Sequence, residues 1–179
     1  MSENPKPLDD ATPQEAKSME VLPVESGKFT QFVVDEPASF VGGIAPIALP
    51  TPPSFVTLAT VSLRIDDMTD RVWLNATVGW YVDFTAPGTV QARFRLLRGT
   101  TVIYETQQVT SSTSTVPAPP PPTTVHSVAH LEHIDTTPIT TPLPMIVTYV
   151  LEAQADVAGA FTGGPITLSA AEIERNVIA

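Results

Sequence analysis

From Phe55 onward, apolar and polar residues alternate in short runs broken by turn-forming residues. Strands are predicted over Phe55–Ile65, Arg71–Val82, Val90–Arg98, Thr101–Val109, Val125–Ile134, Met145–Ala155 and Ile166–Ile173. In the second run Val72, Leu74, Ala76, Val78 and Trp80 share one face, the period of two that marks a buried side. The opposite face holds Trp73, Asn75, Thr77, Gly79 and Tyr81, so aromatic rings stand on it as well, and it too is expected to be covered. Ala92, Phe94 and Leu96 point inward from the third run, with Arg93 and Arg95 alternating between them. The breaks read as turns: Asp66-Asp67-Met68-Thr69-Asp70, Ala86-Pro87-Gly88 and Arg98-Gly99-Thr100. Regular strands with no helical block predict an all-β fold, an antiparallel jelly-roll sandwich. An immunoglobulin-like sandwich is the rival, and it usually brings a cysteine pair that this chain lacks.

The first part of the chain follows another pattern. Residues 1 to 27 are rich in Pro, Glu, Asp and Ser without a sustained period, as in a flexible acidic tail. Gln14 to Glu20 has the composition for a turn or two of helix. Phe29 to Val34 is a short strand candidate. Ala38 to Pro53 is apolar, yet its Pro and Gly residues exclude a helix or a central strand. The reading is an extended N-terminal arm lying in a groove, its own or a neighbour's, with the domain boundary between residues 54 and 55. Phe29, Phe32, Val34, Phe40, Ile44 and Ile47 are the arm residues expected to join subunits, the strand candidate by adding itself to a neighbouring sheet. Thr110 to Pro122 reads as a polyproline-type surface loop.

Composition sharpens this picture. Charged residues make up 16% of the chain, against roughly 25% in ordinary soluble domains. Strand surfaces this poor in charge are usually covered by other protein. The mean hydropathy is +0.13, yet no run approaches the ~18 apolar residues of a membrane helix. A formal net charge of −10 argues against a nucleic-acid backbone as partner. Lys6, Lys17 and Lys28 are all the lysines, and beyond them the chain uses arginine alone. There is no cysteine, hence neither a disulfide frame nor a thiolate metal site. The opening residues lack the basic and apolar regions of a secretory signal, so synthesis in a cytosol is expected.

Candidate chemistry is sparse. His126, His130 and His133 cluster in sequence, but on a strand the first two point one way and the third the other, so a metal site is not expected. Asp66, Asp67 and Asp70 offer oxygen ligands for a hard cation, though without EF-hand spacing the simpler reading is a turn. Arg93 and Arg95 are candidates to grip acidic groups of a neighbouring subunit, such as Glu105 or Asp83, with pairing inside a hairpin as the simpler outcome. Trp73 and Tyr81 are assigned to packing between subunits or under the arm, with sugar stacking as the alternative. No phosphate loop, nucleophile elbow or paired-carboxylate motif occurs, and neither catalytic residues nor cofactors are assigned.

Five stretches carry a resemblance: Asp70 to Trp80, Val90 to Gly99, His133 to Pro138, Thr148 to Leu151 and Gly164 to Ile173. Over about residues 55 to 175 the chain resembles small exosporium or spore-coat proteins of endospore-forming bacteria. The resemblance implies a jelly roll like that of tumour necrosis factor, trimers or higher assemblies, and a place on the spore surface after synthesis in the mother-cell cytosol. Phe40 to Pro53 is faintly similar to the leader that attaches collagen-like filaments, which makes other spore-surface proteins expected partners. The chain departs from the pattern in lacking a Gly-X-Y tract and the cross-linking cysteines of several spore appendages. The expectation is therefore a structural, non-enzymatic, self-associating subunit, with no membrane and no nucleic acid among its partners. The alternatives are a carbohydrate- or receptor-binding β module at a fibre tip or virion, or a hydrolytic jelly roll using the histidines.

Overall fold

The computed structural model describes residues 28–40, 43–113, 122–136 and 143–174. The acidic tail with its helical candidate, the joint at Val41 and Gly42, most of the polyproline loop and the chain end lie outside the described residues.

The described strands are β1 (Lys28–Ala38), β2 (Val56–Ile65), β3 (Arg71–Phe84), β4 (Gly88–Arg98), β5 (Thr101–Ser112), β6 (Thr123–Asp135), β7 (Met145–Ala155) and β8 (Ala160–Glu174). β1 pairs with β8, β2 with β7, β3 with β6 and β4 with β5, all antiparallel. This is the pairing of one long hairpin ribbon folded at its middle. Two further pairs, β3 with β8 and β4 with β7, roll the ribbon into sheets ordered β1-β8-β3-β6 and β2-β7-β4-β5. That winding is the jelly roll rather than the immunoglobulin arrangement.

The expected faces are the ones buried. Leu74, Ala76, Val78 and Trp80 meet Ala92, Phe94 and Leu96 from the other sheet. Trp80 and Phe94 contact edge to face at 6.0 Å, an arrangement that adds about 1 kcal/mol beyond area burial. The Trp80 indole N–H donates to Gln108 Oε1 at 3.1 Å, so its polar atom is not stranded.

One bulge shapes the outer surface. Between the pairs Val78–Ile166 and Trp80–Thr162, Gly79 alone faces Gly163, Gly164 and Pro165. A Cβ on Gly79 would lie 2.5 Å from the Gly164 Cα, and one on Gly163 would lie 2.3 Å from the Tyr81 ring. Glycine is required because backbones and an aromatic ring approach this closely.

The expected boundary at residues 54 and 55 does not hold. Lys28–Ala38 is an eighth strand, hydrogen-bonded to β8 of the same chain rather than added to a neighbour. The arm behind it also serves its own domain. Ala48 bridges to Phe161, the Thr162 N–H donates to the Ile47 carbonyl at 2.9 Å, and the Ala155 N–H donates to the Pro50 carbonyl at 3.0 Å. Leu49 is buried in the core. The arm thus continues along the β8 edge that β1 leaves free. β8 is long enough to take both, and an apolar extended segment finds its groove there.

The open edges of the sandwich are closed by side chains. On β1, Asp35 Oδ2 accepts from the Thr60 N–H of β2 at 2.8 Å, while Gln31 accepts from the Arg64 N–H and donates to the Arg64 carbonyl. On the far side, Gln108 Nε2 of β5 donates to the Val128 carbonyl of β6 at 3.0 Å. Backbone groups that an edge strand would leave free are met from the facing sheet.

At one end the sheets are tied by charge. Asp135, nearly buried on β6, lies 3.1 Å from the Arg98 guanidinium of β4 and accepts from the Tyr149 hydroxyl of β7 at 3.0 Å. Burial and that neighbouring carboxylate push the Tyr149 hydroxyl well above the usual phenol range.

Two predictions follow from these ties. A chain starting at Phe55 lacks β1 and Leu49, exposes the β8 edge and should lose cooperative unfolding by circular dichroism. Arg98→Met leaves Asp135 charged and buried and should cost about 3 kcal/mol in urea unfolding. The double variant Arg98→Met/Asp135→Leu should recover part of that loss.

Candidate functional site

The two outer faces differ in chemistry. Across β1-β8-β3-β6 the register aligns Phe32, Ala171, Trp73 and Ile134 in one row, so all four strands contribute an apolar side chain. Opposed residues in a sheet project from the same face, which makes the row continuous. Phe32 is 64% exposed and Ile134 47%, while Ala171 is covered by its larger neighbours. Phe29 lies against Trp73 with ring centroids 6.4 Å apart, and Val34 flanks the row on β1. The Trp73 indole N–H donates to Glu132 at 3.1 Å, so the ring is held by β6 while its face stays partly open. The row is an exposed apolar patch with its polar atoms already satisfied.

The outer face of β2-β7-β4-β5 has paired charges and hydroxyls on it, with Ile146 and Val109 exposed among them. Arg95 lies 2.7 Å from Glu152, and its guanidinium stacks 3.4 Å above the Phe55 ring. Arg93 faces Glu105 at 4.0 Å across the β4–β5 hairpin, both exposed. Both arginines thus have partners in their own chain, and hairpin and sheet neighbours account for them. Thr57, Thr60 and Ser62 extend this face onto β2, all exposed.

The remaining expected residues separate into two groups. Phe40 and Ile44 are exposed beside β1, whereas Ile47 packs against the core. Tyr81 lies over Gly163, stacked on Phe161 at 5.5 Å and beside His126 at 5.4 Å. Trp73 and Tyr81 stand eight residues apart on one strand, roughly 26 Å at the usual rise. They form no common sugar platform. The histidines do not converge either. His130 is bonded to Thr77 on the outer face, and His133 stacks on Tyr104 at 5.4 Å.

A second feature brings together residues far apart in sequence. A cleft of about 430 Å³ opens where the β2–β3 turn meets β1 and β8, lined by Thr30, Gln31, Asp66, Asp67, Asp70, Glu172 and Glu174. Carboxylate oxygens of Asp66, Asp70 and Glu172 lie within 4.8 Å of one another. Glu172 is 2% exposed and faces the sandwich interior. Its Oε2 accepts from Thr30 Oγ1 at 2.5 Å, but its Oε1 has no hydrogen-bond partner, and neither has Asp70 Oδ1. Burial, and then the charges of Glu172 and Asp67, push the Asp70 carboxyl up to about 6. Asp67, fully exposed, is held below its ordinary value by the Thr69 N–H and hydroxyl, which donate to it at 2.8 and 2.9 Å. Sequence reasoning marked the three aspartates as a turn and passed over Glu172 and Asp135. The mark it had for Glu172 was a glutamate in phase with the inward positions Ile166, Leu168 and Ala170.

No family model matches this sequence, and no curated protein matches it. Among solved structures, dimeric latent PorU from Porphyromonas gingivalis is similar at 11% identity, over 89% of this chain and 14% of that one, with a TM-score of 0.42. The VP2 subviral particle of infectious bursal disease virus is similar at 12% identity, over 81% of this chain and 37% of that one, with a TM-score of 0.36. Particles of T=1 type derived from infectious bursal virus give 13% identity, 92% and 44% coverage and a TM-score of 0.25. The chain spans less than half the length of each of these.

The acidic cleft generates a pH dependence with a definite sign. Asp70 is faced by the carboxylates of Asp66, Asp67, Glu172 and Glu174 and by the uncharged Thr30 and Gln31. Its folded value lies above the unfolded 3.8. The stability it contributes is therefore full below about pH 4 and lost as pH rises through about 6. In metal-free buffer, urea unfolding should show the wild type losing stability across that window relative to Asp70→Asn.

Proposed function

We propose that this chain is a structural, non-catalytic subunit whose copies join through the outer face of β1-β8-β3-β6. The observation that carries the reading is the row Phe32–Ala171–Trp73–Ile134, an apolar stripe crossing every strand of one face, while the other face carries the ion pairs of Arg93 and Arg95. Water leaves such a surface with a gain of about 25 cal/mol per Å² of apolar area. A stable interface removes roughly 800 Å² from each partner, and a four-stranded face is wide enough to supply much of that.

A second copy is the fitting occupant. The protein is strongly acidic overall, so like molecules repel except where charge is sparse. The apolar row is such a place. Two flat sheets also pack face to face at about 10 Å, the spacing already used inside the sandwich. Because Gln31, Asp35 and Gln108 occupy backbone groups on the β2 and β6 edges, contact through the face is favoured over strand addition there. The resemblance to exosporium and spore-coat proteins supplies the location in this proposal, the spore surface, with other surface proteins as further partners.

Sedimentation velocity tests the interface. Phe32→Asp/Ile134→Asp should shift the assembly to monomer, while Val109→Asp on the opposite face leaves it unchanged. Because the altered side chains are largely exposed, stability of the dissociated chain should change by less than about 1 kcal/mol. A wild-type chain that is monomeric at high concentration would refute the reading. Immunogold labelling of spores tests the location separately.

A further inference from the structure

The cleft at the end of β8 contains a charge imbalance that the rest of the fold does not share. Val72 of β3 is paired with Asp135 on one side and Glu172 on the other, so the two buried carboxylates lie in one inward row of the same sheet. Asp135 has Arg98 and the Tyr149 hydroxyl. Glu172 has a threonine hydroxyl, and beyond it two more carboxylates. No described lysine or arginine makes an ion pair with Asp66, Asp70 or Glu172. A carboxylate taken out of water without a counter-charge is strongly disfavoured, and Glu172, which lines the cleft, is more than nine-tenths buried with its Oε1 unpartnered.

We propose that Asp66, Asp70 and Glu172 bind a hard divalent cation, Ca²⁺ by preference. The donor atoms are all carboxylate oxygens, the ligand type of Ca²⁺ and Mg²⁺ rather than of zinc or copper. Their oxygens lie within 4.8 Å of one another, close enough for a single ion to touch all three. Mg²⁺ draws its ligands closer and demands a stricter octahedron, which a site assembled from a turn and a strand does not impose. The cleft is open enough for water to complete the coordination. The two orphaned oxygens, Glu172 Oε1 and Asp70 Oδ1, become ligand atoms. Bound there, the cation fastens the β2–β3 turn to β8, whose Glu172 already holds Thr30 of β1. The rival arrangement is a proton shared between Asp70 and Glu172.

The experiment is calorimetric titration of the full chain with CaCl₂, and with MgCl₂ in parallel, at pH 7.5 and pH 5, with thermal unfolding followed at the same ion concentrations. At pH 7.5 the wild type should bind Ca²⁺ at one site per chain with a dissociation constant on the order of 10⁻⁴ M, and its melting temperature should rise with added Ca²⁺. Mg²⁺ should bind at least tenfold more weakly, and Ca²⁺ should bind more weakly at pH 5. Glu172→Gln and Asp66→Asn should each reduce Ca²⁺ affinity more than tenfold. Asp66 is exposed, so that variant keeps the test intact if the buried substitution impairs folding. Asp67→Asn, whose carboxylate is engaged by Thr69, should stay within about threefold of wild type. Absence of Ca²⁺-dependent heat and of any melting shift in the wild type would overturn the proposal in favour of the shared proton. Undiminished binding by Glu172→Gln and Asp66→Asn would overturn it as well.

Discussion

What holds this sandwich together as a closed object is the treatment of its edges. A two-sheet fold has four edge strands, each with a row of backbone donors and acceptors facing no neighbour. Here β1 and β5 reach across to β2 and β6 with amide and carboxylate side chains that mimic the missing backbone partners. Asp35 at the Thr60 N–H and Gln31 at both backbone groups of Arg64 do for the corner what a further strand would do. These residues hold inward-facing positions on their strands, where apolar side chains would ordinarily sit. The cost of polar groups near the core is offset because their hydrogen bonds are made.

Closing the edges decides which surfaces remain to be used. One face carries threonine, serine and paired arginines, with Ile146 and Val109 exposed among them. The other carries Phe29, Phe32, Trp73 and Ile134 on neighbouring strands. The proposed self-association and the blocked corners are consistent parts of one design, since a subunit that pairs by its face must not also polymerise by its edges.

Much of the sheet architecture was legible from local pattern. The alternation from Val72 to Trp80 and from Ala92 to Leu96 placed the correct side chains inside, and turn residues bounded most strands closely, but β8 starts at Ala160, six residues before the expected Ile166, and runs through Gly163-Gly164-Pro165. Phe29 to Val34 does form a strand, but it pairs with β8 of its own chain rather than with a neighbouring sheet. A lone short apolar run has no partner visible in its own neighbourhood, and the strand it pairs with begins more than a hundred residues later. The same limit hid the acidic cleft. Asp66 and Asp70 look like turn residues because they are turn residues, and the turn acquires chemistry when β8 brings Glu172 beneath it. Alternation did place Trp73 and Tyr81 on one face, but a shared face is not a shared site when the strand carries them so far apart.

Glu172 also links the two halves of the functional reading. It sits on the inner side of β8 between Ala171 and Ile173, whose side chains belong to the outer apolar face, and Thr30, its hydrogen-bond donor, sits next to Phe29. The position and rigidity of Phe29 and Ile173 therefore depend on how this end of β1 and β8 is held. Like charges crowded at Asp66, Asp70 and Glu172 repel one another, and an ion or a proton between them removes that repulsion. Electrostatics inside the sandwich and apolar contact outside it thus meet on neighbouring residues of a single strand, Glu172 facing in and Ala171 and Ile173 facing out.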